Sequence, residues 1–366
     1  MNLSYGGRSS FSNTRYRLNN FDTSDGASVF SPERSNAFTF SEDIQALYLN
    51  TVKQFSDRWE AQFGLRAEFA QTVGTSPEDE RAEPLFTNNY GQLFPTFYVQ
   101  YTQNDDHVYS FNYGKRINRP AYSQLNPARS FLSAQSSQQG NPFLLPSFSH
   151  NVEFAYVHRG NLTATLTFQY VKDAYSFIFD LDDANQEQII TYRNVYDQQL
   201  ASLQLRYQLD LAPWWTTRLF FYGDVNQSDK INPEDNLTLD GRGRYYLSSN
   251  NQFTLHEARN ISGEINFWYD SPYRANLYRF GRASALNVAL NWRSFLPGAD
   301  LTVGVYDVLN TSPRTVASTI NGIEHNFRAF PSNRYLRFSL AYRFGNENIR
   351  ADGRDFGNEE VRQRSN

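Results

Sequence analysis

Hydrophobic and polar residues take turns along most of this chain. Leu162, Ala164, Leu166, Phe168 and Tyr170 fall on one face, and Thr163, Thr165, Thr167 and Gln169 on the other. The same period of two runs through 61–69, 201–209, 286–293 and 336–344. It is the period of a β-strand with one face in an apolar medium; a helix, with a period near 3.6, would spread each set around its circumference. The polar faces carry Arg66, Glu68, Gln169, Gln204, Arg206, Asn291, Arg293, Arg337 and Arg343, which a curled sheet would turn inward.

The pattern predicts strands near 11–22, 38–55, 58–73, 91–104, 106–118, 149–159, 161–181, 187–210, 214–228, 243–255, 258–271, 283–296, 299–309 and 335–345, with a remnant at 1–6. Tight turns are expected at 55–57, 104–106, 159–161, 210–213, 256–257 and 297–298, most of them rich in Gly, Asn, Asp or Pro. Long connections are expected at 23–37, 74–90, 119–148, 229–242, 272–282 and 310–334. Short and long links fall on opposite ends, the one exception being a short link at 181–187. A soluble β-sandwich also alternates, but its strands usually run about 5–6 residues. Aromatics crowd the strand ends here: Tyr109, Phe111, Tyr113, Tyr269, Trp292, Tyr342 and Phe344, with Trp214 and Trp215 beside a tight turn. Girdles of this kind mark membrane interfaces. The expected fold is therefore all-β: an antiparallel transmembrane β-barrel wall of about 14 meander strands plus a partial one, in the bacterial outer membrane. Residues 1–345 form the wall, and the charged, non-periodic stretch 346–366 reads as a disordered periplasmic tail.

Composition narrows the function. The chain has 366 residues with 40% hydrophobic content, and no run approaches the roughly 18 apolar residues of a membrane helix. Its 24 Tyr and 30 Phe supply the girdles. There is no cysteine, which excludes disulfides, Cys-ligated metals and Cys nucleophiles. A net charge of -4 without a basic block gives no nucleic-acid footprint. His107, His150, His158, His256 and His325 are scattered, and neither a metal-binding pair nor a nucleophile elbow is present. The acidic loops around Asp180–Glu187 and Asp229–Asp240 match no EF-hand and read as solvated turns. The expectation is a non-enzyme with no cofactor and no metal. The first residues, Met1 to Arg8, have neither a charged start nor an apolar run, so they are not a signal peptide. They read as the middle of a strand, and the chain is expected to be a C-terminal piece of a longer protein.

One connection carries a motif. Tyr113-Gly-Lys-Arg-Ile-Asn-Arg-Pro-Ala-Tyr-Ser-Gln-Leu-Asn-Pro127 is followed by Gln139-Gly-Asn-Pro-Phe-Leu-Leu-Pro146 and then by Glu153. This resembles the barrel of TonB-dependent outer-membrane receptors, in the branch common in Bacteroidetes. Arg116, Arg119, Pro120, Leu125, Asn126, Pro127, Gly140, Asn141, Pro142, Leu144, Pro146 and Glu153 match that family's run, while Ser147 replaces its acidic residue. The last strand, ending Tyr342-Arg343-Phe344-Gly345, is similar as well. The resemblance implies an importer whose 22-stranded barrel is plugged by an N-terminal domain and driven by the TonB complex, with part of the barrel, the plug and the TonB segment outside this chain. It implies a nutrient such as a glycan, peptide or metal chelate, captured by the long loops and lumen, and leaves room for a surface lipoprotein partner.

Within the motif, Arg116, Asn118, Arg119 and Tyr122 are candidate ligand contacts, the arginines suiting an anionic or hydroxyl-rich ligand. Pro120, Leu125, Asn126, Pro127, Gly140, Asn141, Pro142, Pro146 and Glu153 read as loop-shaping residues. Trp214, Trp215, Trp292, Tyr342 and Phe344 read as interface anchors in lipid. The alternative is a self-contained passive or structural outer-membrane barrel.

Overall fold

The computed structural model describes residues 1–24, 26–75, 84–133, 135–182, 187–233, 236–239, 241, 243–320, 322–329, 333–344 and 364. In chain order the strands are β1 (Asn2–Asp22), β2 (Val29–Gln54), β3 (Trp59–Thr75), β4 (Phe86–Asn104) and β5 (His107–Asn118). A one-turn helix, α1 (Tyr122–Leu125), precedes β6 (Arg129–Ser133) and β7 (Ser136–Gln139). There follow β8 (Ser147–His158), β9 (Leu162–Asp182), β10 (Glu187–Ala212), β11 (Trp215–Lys230), β12 (Arg244–His256) and β13 (Ile261–Asp270). Then come β14 (Tyr273–Ala275), β15 (Tyr278–Phe280), β16 (Ala283–Leu296), β17 (Ala299–Tyr306), β18 (Arg314–Ile320), β19 (Ile323–Ala329) and β20 (Tyr335–Tyr342).

The wall is one antiparallel meander, β1-β2-β3-β4-β5-β8-β9-β10-β11-β12-β13-β16-β17-β20. Its two outer strands, β1 and β20, have no partner beyond β2 and β17 among the described residues, so the barrel is open. The alternation sets which side chains face lipid. Leu47, Phe69, Leu93, Phe154, Leu203, Leu247, Leu290 and Leu340 stand exposed on one face. The opposite face holds polar ladders such as Gln169 donating to Asn151 (2.6 Å) and Asn291 to Glu264 (2.7 Å).

The tight links lie where the sequence puts them. Arg159 and Gly160 have φ of 48° and 68°, and the Asn161 amide donates to the His158 carbonyl, the mirror-image turn that matches the twist of paired strands. Aromatic rings collect at this end. Trp59, Tyr101, Tyr109 and Tyr156 stack across four neighbouring strands. Trp214, Trp215 and Phe253 form a second group, Trp292 packs on Phe295, and Tyr342 lies 6.3 Å from Phe344. Such pairs add about 0.5–1.5 kcal/mol each beyond area burial.

Three expectations change. The remnant at 1–6 and the strand at 11–22 are one strand, β1, paired with β2 from Asn2↔Val52 to Asp22↔Val29. The small, polar run Gly6–Ser10 hides the period without breaking the ladder. The connection at 23–37 is shorter than expected, because β2 starts at Val29; above the apolar band both faces are wet, so alternation fades while backbone pairing continues. The connections at 272–282 and 310–334 are not plain loops: β14, β15, β18 and β19 join as a separate antiparallel sheet. The short link at 183–186 lies outside the described residues, as does the expected tail 346–366 except Arg364.

Candidate functional site

The connection between β5 and β8 turns inward and straps the concave side of the wall. Its apolar side chains Tyr122, Leu125 and Leu144 join Phe38 and Phe40 of β2 and Phe86 of β4 in one buried cluster, flanked by Tyr16 of β1, Tyr175 of β9 and Tyr192 of β10. Residues from both arms of the sheet meet on the same loop, which requires the sheet to curl around it. Tyr122 is fully buried, its ring 4.5 Å from that of Phe40. Farther along, β7 adds in parallel to the start of β10 through Gln188↔Ser136 to Ile190↔Gln138, and the Arg129 guanidinium lies 3.2 Å from the Glu187 carboxylate.

The two halves of the motif fasten to each other. The Gly140 amide donates to the Asn126 carbonyl (2.9 Å) and the Asn141 amide to the Gln124 carbonyl (2.7 Å). A Cβ on Gly140 would stand 2.5 Å from the Asn126 oxygen and 2.7 Å from that of Gln124, so only glycine permits the approach. The Asn141 side chain donates to the Tyr192 carbonyl (2.8 Å) and accepts from the Phe143 amide (2.9 Å). Asn194 of β10 closes the far end: its Oδ1 accepts from the Leu145 amide (2.9 Å) and its Nδ2 donates to the Leu145 carbonyl (3.0 Å).

Charge fastens the near end. Glu68 of β3 accepts from both Arg66 and Arg119, with the Arg119 and Glu68 side chains almost wholly out of solvent. Arg119 Nε donates to the Tyr90 hydroxyl (2.7 Å), which itself lies 3.4 Å from Glu68. A buried carboxylate between two guanidiniums is stable only as a set, since removing one partner strands the others. Asn118 donates to the Tyr175 hydroxyl (3.1 Å), which donates to the Arg119 carbonyl (3.3 Å). The Tyr122 hydroxyl lies 3.2 Å from Glu42 and 3.3 Å from Ser12, and burial raises its pKa above the usual tyrosine value.

The four candidate contacts thus part company. Arg119 and Tyr122 are buried in the strap's anchorage, and Asn118 is tied to Tyr175. Arg116 is exposed and borders a pocket of about 510 Å³ beside Arg119, with Arg66, Lys115, Asn50, Gln62 and Thr96. Lys115 there donates to Gln92 (2.6 Å). Among the loop-shaping residues, Pro120 and Leu125 are buried, while Pro127, Pro142 and Pro146 are half-buried. Glu153 sits lower on the wall, opposite Asn112 and Thr167. Sequence reading missed Glu42, Tyr90, Tyr175 and Asn194. Local alternation does not mark Glu42, which lies on the face of β2 that carries Phe40 and Ile44; its one signal is that this face is shared with Glu68 across the β2–β3 register. Among the described residues, no group of three His, Asp or Glu side chains is placed to hold a metal ion.

The sequence matches the outer membrane protein beta-barrel family over residues 1–342, and the chain belongs to that family. It is a protein of the bacterial outer membrane. No curated protein sequence matches it. Among solved structures it is similar to the copper transporter OprC, with a TM-score of 0.65 at 13% identity over 93% of this chain and 54% of that one. The ferric yersiniabactin uptake receptor FyuA from Yersinia pestis aligns with a TM-score of 0.61 at 14% identity, covering 94% of this chain and 51% of that one. The ferric-catecholate import receptor Fiu from E. coli K12 gives 0.59 at 13% identity, with 93% and 52% covered. The chain spans about half the length of these structures. Likeness at such identity speaks to the fold.

Proposed function

We propose that this chain is the lumen-lining part of a TonB-dependent importer that carries a scarce, anionic nutrient across the outer membrane. The observation that carries the reading is the strap itself. Residues 119–146 are folded into the concave side and bonded to both arms of the wall, and Arg119 at their start lines a pocket that also carries Lys115 and Arg116 beside the Arg66–Glu68 pair. A loop so fastened holds its side chains in place, and a receptor gains affinity from a preorganised site. The likeness in fold to import receptors supports the same reading. Ligand enters from the long-loop side and meets Arg116 and Lys115. Its release is driven by the TonB complex through a plug domain carried elsewhere in the protein, and a surface lipoprotein is an accessory partner. The reaction is transport without bond chemistry, so the chain is no enzyme.

The test is uptake in the source cell. Strains with the gene intact, deleted, or carrying Arg116→Glu are compared on a panel of labelled ferric and cupric chelates, oligosaccharides and peptides. Loss of one class on deletion, reproduced by TonB depletion and weakened at least about tenfold by Arg116→Glu (about 1.4 kcal/mol of binding), supports the proposal. Uptake that persists at full rate when TonB is depleted overturns it in favour of a passive barrel.

A further inference from the structure

The strap roofs a second site whose chemistry differs from that of the basic pocket. Glu42 projects from β2 with its side chain almost wholly buried, and it receives a guanidinium. Arg364 Nη1 donates to both Glu42 oxygens, at 2.8 and 3.1 Å. Its Nε donates to the Pro120 carbonyl (3.1 Å), and its planar head lies 4.8 Å from the centre of the Tyr122 ring. The Tyr122 hydroxyl adds a contact to the same carboxylate (3.2 Å). Arg364 itself is buried.

The geometry points to a guanidinium-binding site formed by Glu42, the Pro120 carbonyl and the Tyr122 ring, filled in this structure by Arg364 of the chain's own C-terminal segment. A carboxylate, a carbonyl and an aromatic face together fit a flat, delocalised cation with several directed donors. An ammonium reproduces the charge but neither the fork nor the stacking face. Two motif residues, Pro120 and Tyr122, belong to the site, so its occupancy bears on the strap's entry. Distance is no obstacle. Arg364 follows Tyr342, at the tight-turn end, by enough residues to reach roughly 70 Å when extended, against an apolar band of about 25 Å.

The chain has no cysteine, which makes proximity directly measurable. In the full protein, Ser12→Cys, the cross-strand partner of Glu42, with Ser365→Cys leaves Glu42 and Arg364 in place and should be bridged by a short bis-maleimide well over about ten times faster than Ser12→Cys with Tyr342→Cys, as tethered neighbours are. Thermal unfolding then tests the chemistry. Arg364→Ala should lower the melting temperature, and added methylguanidinium should restore it by mass action. Arg364→Lys should not restore it, and Glu42→Gln with Arg364→Ala should ignore methylguanidinium. Fast cross-linking with methylguanidinium rescue supports both the site and its resident. A stability loss in Glu42→Gln, with no cross-link and no effect of Arg364→Ala, overturns Arg364 as the occupant. If neither Glu42→Gln nor Arg364→Ala changes melting, and methylguanidinium shifts neither, there is no guanidinium site.

Discussion

The two elaborate connections at the long-loop end are built by opposite means. Apart from the short β6–β7 hairpin, whose β7 adds to β10, residues 119–146 run without a ladder. There, the Ala128, Phe143 and Leu145 amides are satisfied by the Asn126, Asn141 and Asn194 side chains and the Gly140 amide by the Asn126 carbonyl, and the entry is pinned by buried charge at Glu68 and Arg119. Residues 314–329 instead make a hairpin, β18–β19, joined to β15, in which the backbone satisfies itself. That sheet rests on the outer ends of β9 and β10 through Ile178, Phe179, Val195, Leu277 and Ile320, and Asp270 ties it down between Arg244 and Arg314. A buried backbone must find partners. Where the loop finds them in side chains, residue identities are fixed and a motif results. Where it finds them in a ladder, many sequences serve and no motif shows.

The contrast is broken most strongly at Glu68. Glu68→Gln leaves two guanidiniums facing a neutral amide, one of them buried, and should cost about 3–5 kcal/mol. Hydrogen exchange should quicken throughout 119–146 and stay unchanged in 314–329; equal loosening of both would show that the two loops are not independent. Gly140→Ala comes next. Its methyl meets backbone oxygens that cannot swing aside, so about 1–3 kcal/mol is expected, seen as new protease cleavage between Asn126 and Gly140. If that variant resists protease as well as the parent, the close approach does not hold the strap.

Asp270→Asn should reverse the pattern, loosening 314–329 and sparing 119–146. Its arginine partners are partly exposed, at 32% and 23% for the side chains, so the effect is discounted to about 1–2 kcal/mol. Equal exchange rates in variant and parent would count against the tie. The smallest effect concerns His325, whose ring stacks 3.9 Å from that of Phe179. Burial lowers its pKa below the ordinary value of 6.5. The folded sheet therefore prefers the neutral ring: its contribution is complete above the unfolded value and is lost as pH falls through the folded one. Exchange in 323–329, corrected for intrinsic rate, should rise as pH drops below about 6.5. His325→Phe should flatten that dependence, and a slope surviving in the variant would assign it to another group.

Most of the wall was legible in the sequence, for a plain reason. In lipid every second residue must be apolar and every backbone group paired, so Leu162–Tyr170 or Leu336–Phe344 announce both strand and facing. Legibility fell where that constraint lapsed, at Gly6–Ser10 and above the band at Val29–Ala37. The motif was visible, but the division of labour inside it was not. Arg116 and Arg119 look alike in the chain, yet one borders an open pocket and the other is buried against Glu68. Nothing local separates them, since the difference lies in a carboxylate on a strand far away in sequence.

The sequence by itself determined the strands, their order, the end that carries the tight turns, the aromatic girdle and the loop that matters. Those follow from periodicity and turn chemistry, which act between neighbours in the chain. Only the tertiary structure decided that the loop folds inward, that Glu42 and Glu68 receive guanidiniums, and that the outer connections close into a sheet of their own. These depend on the curl of the wall, which brings β2 and β4 face to face with β9 and β10, and curl is a property of the whole sheet that no single segment encodes.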